Sequence, residues 1–200
     1  MTHLRPLDGA GLARAYYEVL CPTFPAWELK PLQEMQRLAE KGLYRALCLF
    51  DGEEALAFAF MWRIGGDYLL LDYFAVPAGK RNCGYGAQLL AALPGYYGKK
   101  SVVLIECEAP ENLDDPTMAR RRLVFYQRCG ARLAGFDSAL YGMRFRVLAL
   151  AQGALDGAEL LERYYGLYYK QYFGTAIWDS IRIPLPEGER PPEMEVERDR

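Results

Sequence analysis

One stretch of this sequence restricts the fold more than any other. Tyr68 to Val76 is a strongly apolar run that stops at Pro77. A basic, glycine-rich turn follows through Gly84, and an apolar helical pattern begins behind it. A strand feeding such a turn into a helix start builds an anion cradle. The unpaired N–H groups of the first helical turn all point one way, and the helix dipole favours negative charge there. Gly84 and Gly86 let the backbone approach a phosphate with no side chain in between. The spacing Arg81-x-x-Gly84-x-Gly86 then sorts the ligands. A mononucleotide loop needs Gly-Lys followed by Ser or Thr, whereas Gly79-Lys80 is followed by Arg81. A dinucleotide turn starting at Gly84 needs a third glycine where Leu89 stands.

The surrounding pattern supplies the fold. Helical spacing covers Asp8 to Leu20, and a second helix begins at Pro31 and stops at Gly42. Tyr44–Phe50 and Ala55–Trp62 are strands joined by the hairpin signal Asp51-Gly52, and Gly65-Gly66-Asp67 turns the chain into the strand at Tyr68. The helix behind Gly84 should end near Ala92, because Pro94 removes a helical N–H and disfavours helix at Leu93. Ser101–Cys107 reads as a central strand, and Pro116–Arg128 as a helix capped by Gly130. Arg132–Phe136 and Leu140–Leu150 read as a last pair of strands. Tight turns make the early strands antiparallel, and the crossover helix makes the fourth strand parallel to the third. The fold class is therefore α/β (α+β): a mixed, mostly antiparallel central sheet with helices on both faces.

With 200 residues, one domain is expected, or at most two. Residues 1–150 form the catalytic domain in this reading. Residues 151–183 form a tyrosine-rich helical extension carrying Tyr164, Tyr165, Tyr168, Tyr169 and Tyr172, which docks on the core or on a second subunit, so a homodimer stays open. Residues 184–200 form a loose, charged tail.

A net charge of −2 gives no electrostatic case for nucleic acid, and no apolar stretch is long enough to span a bilayer. The N-terminus lacks a signal-peptide pattern, and the five cysteines are odd in number with no C-x-x-C pair. A soluble, cytoplasmic protein without disulfides or a metal site is expected. His3 is the only histidine and lies in a terminus expected to be mobile, which argues against Ser-His-Asp, Cys-His and His-metal chemistry. Carboxylates, tyrosines, backbone dipoles or a bound co-substrate must carry the reaction.

The loop Arg-x-x-Gly-x-Gly after a strand ending Ala-Val-Pro resembles the acyl-CoA loop of the GNAT superfamily of N-acetyltransferases. Phe125-Tyr126-Gln127-Arg128-Cys129-Gly130 is similar to that family's aromatic-Tyr-x-x-x-Gly motif, although Ala131 stands where Phe is usual. The resemblance runs from about Leu43 to Leu150 and includes the element order. It implies that acetyl-CoA is the co-substrate, with Arg81, Asn82, Cys83, Gly84, Tyr85 and Gly86 presenting N–H groups to its pyrophosphate and Ala87 continuing the helix start. It also implies that Phe74, Ala75 and Val76 pair through their backbone with the pantetheine amides, and that a backbone N–H near Val76 holds the oxyanion. Tyr126 matches the tyrosine that protonates the leaving thiolate.

Amide formation needs a neutral amine. A lysine-like amine is mostly charged at neutral pH, and deprotonating it costs about 4–5 kcal/mol. No base transfers by motif, because Leu70 occupies the position of the family's glutamate. Three acids interrupt apolar strands: Asp72, Glu106 and Glu108. Glu106 is the first choice as base and Asp72 the second, while an ion pair with Arg63 or one of Arg120, Arg121 and Arg122 would explain any of them without catalysis. The expected activity is acetyl transfer from acetyl-CoA to a primary amine, of a small molecule or a protein, by direct attack in a ternary complex. The alternatives are a non-catalytic acyl-CoA-binding or regulatory module of the same fold, and a dimeric scaffold built on the tyrosine-rich helix.

Overall fold

The computed structural model of the chain describes residues 1–140, 142–171 and 181–192. The helical expectation for Tyr172 and Phe173, and the tail from residue 193 onward, lie outside the described residues. The chain divides into two compact units, Met1–Val103 and Leu104–Arg200.

The first unit is built on four antiparallel strands in chain order: β1 (Thr2–Pro6), β2 (Tyr44–Asp51), β3 (Glu54–Gly65) and β4 (Tyr68–Ala75). Four helices accompany them: α1 (Gly9–Ala15), the short α2 (Cys21–Thr23), α3 (Leu32–Glu40) and α4 (Tyr85–Tyr97). Seven consecutive residues of β3, Leu56 to Trp62, are buried. Neighbouring strand residues face opposite ways, so both faces of this strand are covered. Helix α3 packs on β2 and α4 on β3. Fully buried Leu47, Phe60, Trp62, Leu70, Met35, Leu38, Leu89 and Leu90 make the core, each large apolar side chain contributing about 1.5–3 kcal/mol.

Two elements depart from the sequence expectation. The N-terminus is a strand: β1 pairs with β2, His3 stacks on Phe50 at 5.9 Å, and the Arg5 guanidinium lies 4.1 Å over the same ring. A polar edge strand closed by Pro6 carries little hydrophobic alternation, so it reads as loose chain. Helix α4 continues past Ala92 to Tyr97 with Pro94 inside it. Its buried Leu89, Leu90 and Leu93 hold the helix on the strands, and Gly98, at φ 102°, closes the last turn by donating to the Pro94 carbonyl at 3.0 Å.

The second unit contains β5 (Val102–Glu108), which starts at the unit boundary, α5 (Thr117–Arg128), β6 (Arg132–Leu140), β7 (Met143–Leu150), α6 (Gly157–Gly166) and β8 (Arg182–Leu185). β6 pairs antiparallel with both β7 and β8. β6 runs on past Phe136, its expected end, because a register shift between Leu133 and Asp137 absorbs Gly135 in a left-handed conformation at φ 87°. The Asp156 carboxylate caps α6 by accepting from the Ala158 N–H at 2.9 Å. Pro184 and Leu185, expected in the charged tail, belong to β8. The buried Arg144 of β7 donates to the carbonyls of Pro186 and Glu189 just beyond it. The fold class is the expected one, mixed α/β with mostly antiparallel strands. Among the described residues no helix is long and apolar enough to cross a membrane.

Candidate functional site

The anion cradle takes the expected form. β4 ends at Ala75, a short turn of 3-10 helix covers Ala78–Lys80, and α4 starts at Tyr85. Asn82 sits at φ 63° and Gly84 at φ 81°. These two left-handed residues fold the loop back on itself. The Gln88 N–H donates to the Gly84 carbonyl at 3.0 Å and closes the first helical turn. The N–H groups of Tyr85, Gly86 and Ala87 precede that bond and have no intrahelical acceptor by geometry. Arg81, Asn82, Cys83 and Gly84 are exposed, Tyr85 is half-buried and Gly86 is buried. The residues present therefore suit a pyrophosphate.

The cations of the loop are partly engaged. Lys80 pairs with Glu54, a contact that holds its ammonium pKa above the ordinary value. Arg81 turns its Nε to the Val76 carbonyl at 3.1 Å, which occupies one acceptor of the segment expected to meet pantetheine. Phe74 and Ala75 pair with Ala59 and Phe58 of β3.

The three candidate carboxylates have different surroundings. Asp72 is the extra residue where the β3–β4 register shifts between Phe60–Tyr73 and Met61–Leu71. Such a bulge re-aims a side chain. Here it carries Asp72 to Lys30 at 2.7 Å and to the Tyr44 hydroxyl, which donates at 2.6 Å. The Lys30 ammonium also lies 4.9 Å from the Trp62 ring centre. Burial first, and then the Asp72 charge, push the Tyr44 phenol well above its ordinary pKa. Asp72 thus stands in an internal ion pair, although the partner is Lys30 and not an arginine. Glu108 is paired with Arg122 of α5.

Glu106 meets hydroxyl groups. It is half-buried and accepts on one oxygen, Oε1, from the Tyr164 hydroxyl at 2.5 Å and from the Tyr168 hydroxyl. Sequence reasoning did not find these two tyrosines as partners, although their spacing of four already puts them on one helix face.

Tyr126 lies in the last turn of α5. The Gly130 N–H donates to the Gln127 carbonyl at 2.9 Å and the Ala131 N–H to the Tyr126 carbonyl at 3.0 Å. This is a Schellman cap with Gly130 left-handed at φ 94°. The glycine of the Phe125-Tyr126 motif therefore ends the helix that carries the tyrosine. Burial, and then Cys107, push the Tyr126 phenol above its ordinary pKa. The Cys107 thiol donates to the Ala119 carbonyl of α5 at 3.8 Å, so that face of β5 looks at α5. Glu106, one residue earlier on the strand, looks at Tyr164 and Tyr168 on the opposite face.

A separate cavity of about 840 Å³ opens in the second unit beside Asp137, Arg144, Arg146 and Glu111. Its charges pair among themselves, Arg144 with Asp137 at 2.8 Å and Arg146 with Glu111. It contains none of the candidate catalytic residues. Among the described residues no group of three His, Cys, Asp or Glu could hold a metal ion.

The architecture matches solved acetyltransferases. An acetyltransferase assigned to the GNAT family from Bacteroides thetaiotaomicron superposes with a TM-score of 0.67 at 24% identity, over 84% of this chain and 97% of its own. The chain has the GNAT fold. A variant of the SpeG spermidine N-acetyltransferase from Vibrio cholerae gives a TM-score of 0.55 at 12% identity, over 74% of this chain and 92% of that one. A Bacillus subtilis acetyltransferase in complex with CoA gives 0.54 at 14% identity, over 76% of this chain and 100% of that one. No family model and no curated protein matches the sequence.

Proposed function

We propose that this protein is an N-acyltransferase that moves an acetyl group from acetyl-CoA to a primary amine by direct attack in a ternary complex. The observation that carries the reading is the left-handed pair Asn82 and Gly84 leading into the three open N–H groups of α4, on a fold whose solved examples are acetyltransferases, one of them holding CoA. In this reading the co-substrate supplies an activated acyl group, and residues Arg81 to Ala87 hold its pyrophosphate through backbone N–H groups. Phe74, Ala75 and Val76 align its pantetheine arm along the strand end.

Glu106 accepts a proton from the incoming ammonium and so provides the nucleophilic amine. The Tyr126 hydroxyl gives its proton to the departing thiolate, and one proton is released overall when the ammonium and thioester become amide and thiol. Burial makes Tyr126 a weaker acid than a free phenol, so its proton transfer runs uphill toward a thiol of pKa about 8.5. The acceptor is a primary amine of a small molecule or of a protein chain.

A second reading is favoured by one observation. Asp72, Glu106 and Glu108 all hold hydrogen-bonding or ionic partners already, which fits a non-catalytic acyl-CoA-binding module. Titration calorimetry with CoA and an assay for free thiol with small polyamines and N-terminal peptides separate the two. Micromolar CoA binding with amine-dependent thiol release supports the transferase. Saturable CoA binding with no release on any amine supports the module, and no CoA binding overturns both.

A further inference from the structure

Charge is spread unevenly along this chain. The net charge is −2, yet Pro116 to Phe136 holds five arginines and no Asp or Glu. Two of the five are engaged within their own unit, Arg122 with Glu108 and Arg132 with the Gly153 carbonyl. Among the described residues the side chains of Arg120, Arg121 and Arg128 form no ion pair, and all three residues are exposed.

All three belong to α5. With 3.6 residues per turn, Arg120, Arg121, Val124 and Arg128 fall within one arc of about 100° around the helix. Ala119 and Tyr126, the two buried residues of α5, lie opposite that arc. The arc is therefore the outward face, and Val124 near its centre is 52% exposed. Arg120 and Arg121 stand in the half of the helix nearer its positive end, where the dipole disfavours a cation. An anion laid on this face relieves that mismatch.

The chain carries a matching anion. Glu193-Met194-Glu195-Val196-Glu197 follows the described residues directly and belongs to the same unit as α5. Its acids alternate with apolar residues, so in an extended chain the three carboxylates share one side. Glu193 to Glu197 then spans about 13 Å, while Arg120 to Arg128 spans about 12 Å along the helix. The stretch also begins within reach. Glu189 and Arg190 line the same cavity as Glu111 and Asn112, which stand in the turn before α5. Glu193 is three residues past Arg190, a reach of about 10 Å.

We propose that Glu193–Glu197 docks on the outward face of α5, with Glu193 toward Arg120 and Arg121 and Glu197 toward Arg128. Each exposed ion pair is weak by itself. The covalent tether adds to them, because a short connection holds the stretch at an effective concentration in the millimolar range. Occupied, the face is neutral. Vacated, it is an arginine-rich surface open to another acidic chain. The docking does not depend on acetyl transfer and needs no turnover to be seen.

The test is digestion of the full chain by a glutamate-specific protease, with loss of the tail followed by intact mass. A synthetic peptide of residues 190–200 in the same reaction reports cleavage of the undocked stretch. Docking should make tail loss about tenfold slower than cleavage of the peptide. Combining Arg120→Gln, Arg121→Gln and Arg128→Gln should abolish that protection without changing the melting temperature. Arg128→Glu should weaken it, and adding Glu197→Arg should restore much of it, which a general loosening of α5 would not do. Equal rates for chain and peptide overturn the proposal. Protection that survives all three glutamine changes puts the stretch elsewhere and overturns it too. Protection that falls on tenfold dilution of the chain means docking on another copy, which overturns docking within one chain.

Discussion

Lys30 and Asp72 meet at 2.7 Å with side chains 11% and 7% exposed. This contact ties the segment before α3 to the bulge in β4. Tyr73 reinforces the tie by donating to the Glu28 carbonyl at 2.7 Å and accepting from the Lys30 N–H at 2.9 Å. Removing one partner of such a buried pair leaves the other charge uncompensated, at a cost of about 3–5 kcal/mol. Lys30→Met should therefore be strongly destabilising in urea melts. Lys30→Met with Asp72→Leu should recover much of the loss, because the second change removes the stranded charge. If the double variant is as unstable as the sum of the two singles, the pair is not what holds this segment.

The cradle makes a second prediction. Gly84 occupies φ 81°, where a side chain costs about 1–2 kcal/mol, while the nearest atom to an added Cβ is the Gln88 side-chain nitrogen at 4.0 Å. Gly84→Ala should thus act through backbone conformation and not through a clash. CoA affinity should fall about tenfold, with a small change in melting temperature. Cys83 is exposed in the same loop, so saturating desulfo-CoA, which has no thiol to consume the reagent, should slow its alkylation by iodoacetamide. Alkylation of Cys83 at the same rate with and without desulfo-CoA would remove this loop as the binding site.

The backbone geometry of the loop was legible in the sequence for a physical reason. A left-handed turn feeding a helix needs particular residue types in consecutive order, and Asn82 and Gly84 stand where that geometry requires them. The same holds for Gly130, whose cap is a local motif. The surroundings of the candidate carboxylates depend on contacts between residues far apart in the chain. Nothing near Asp72 announces Lys30, 42 positions away, and nothing near Glu106 announces Tyr164, 58 positions away. Strand alternation marked both acids as anomalous but could not say whether a cation or a phenol answers them. The β1 strand was missed because an edge strand with one buried neighbour needs little apolar alternation. The length of α4 was misread because packing of Leu89, Leu90 and Leu93 outweighs the hydrogen bond lost at Pro94.

Tyr126 supplies a third prediction. Its ring is packed at 8% exposure, and Phe keeps the same shape without the acidic proton. Tyr126→Phe should lower kcat about ten- to a thousand-fold. CoA affinity should barely change, because the pyrophosphate contacts lie in the loop. Stopped-flow measurement of thiol release alongside calorimetry reads both quantities. Full turnover in this variant would exclude Tyr126 as the acid.

Buried thiols make the fold sensitive to alkali. Burial pushes the Cys48 thiol up from 9.0 to about 12 and the Cys107 thiol up from 9.0 to about 11. Below about pH 9 the folded and unfolded chains both hold these protons, so the contribution to stability is fully present and flat. As pH rises through about 9 the unfolded chain releases them while the folded chain keeps them. The native state then binds more protons, and stability must fall with pH until the folded values are passed. Tyr16, Tyr44, Tyr97, Tyr126, Tyr164 and Tyr169, raised chiefly by burial, add to the fall increasingly as pH approaches and passes 10.0, and the Cys129 thiol, raised by burial, adds to it from about pH 9. The share of Cys48 is therefore read by removing it. Urea melts should show a level stability up to about pH 9 and a decline beyond it. Cys48→Ala should lower the level, through the cavity it leaves, yet reduce the slope of the decline. An unchanged slope in that variant would mean that Cys48 ionises as readily in the folded chain as in the unfolded one.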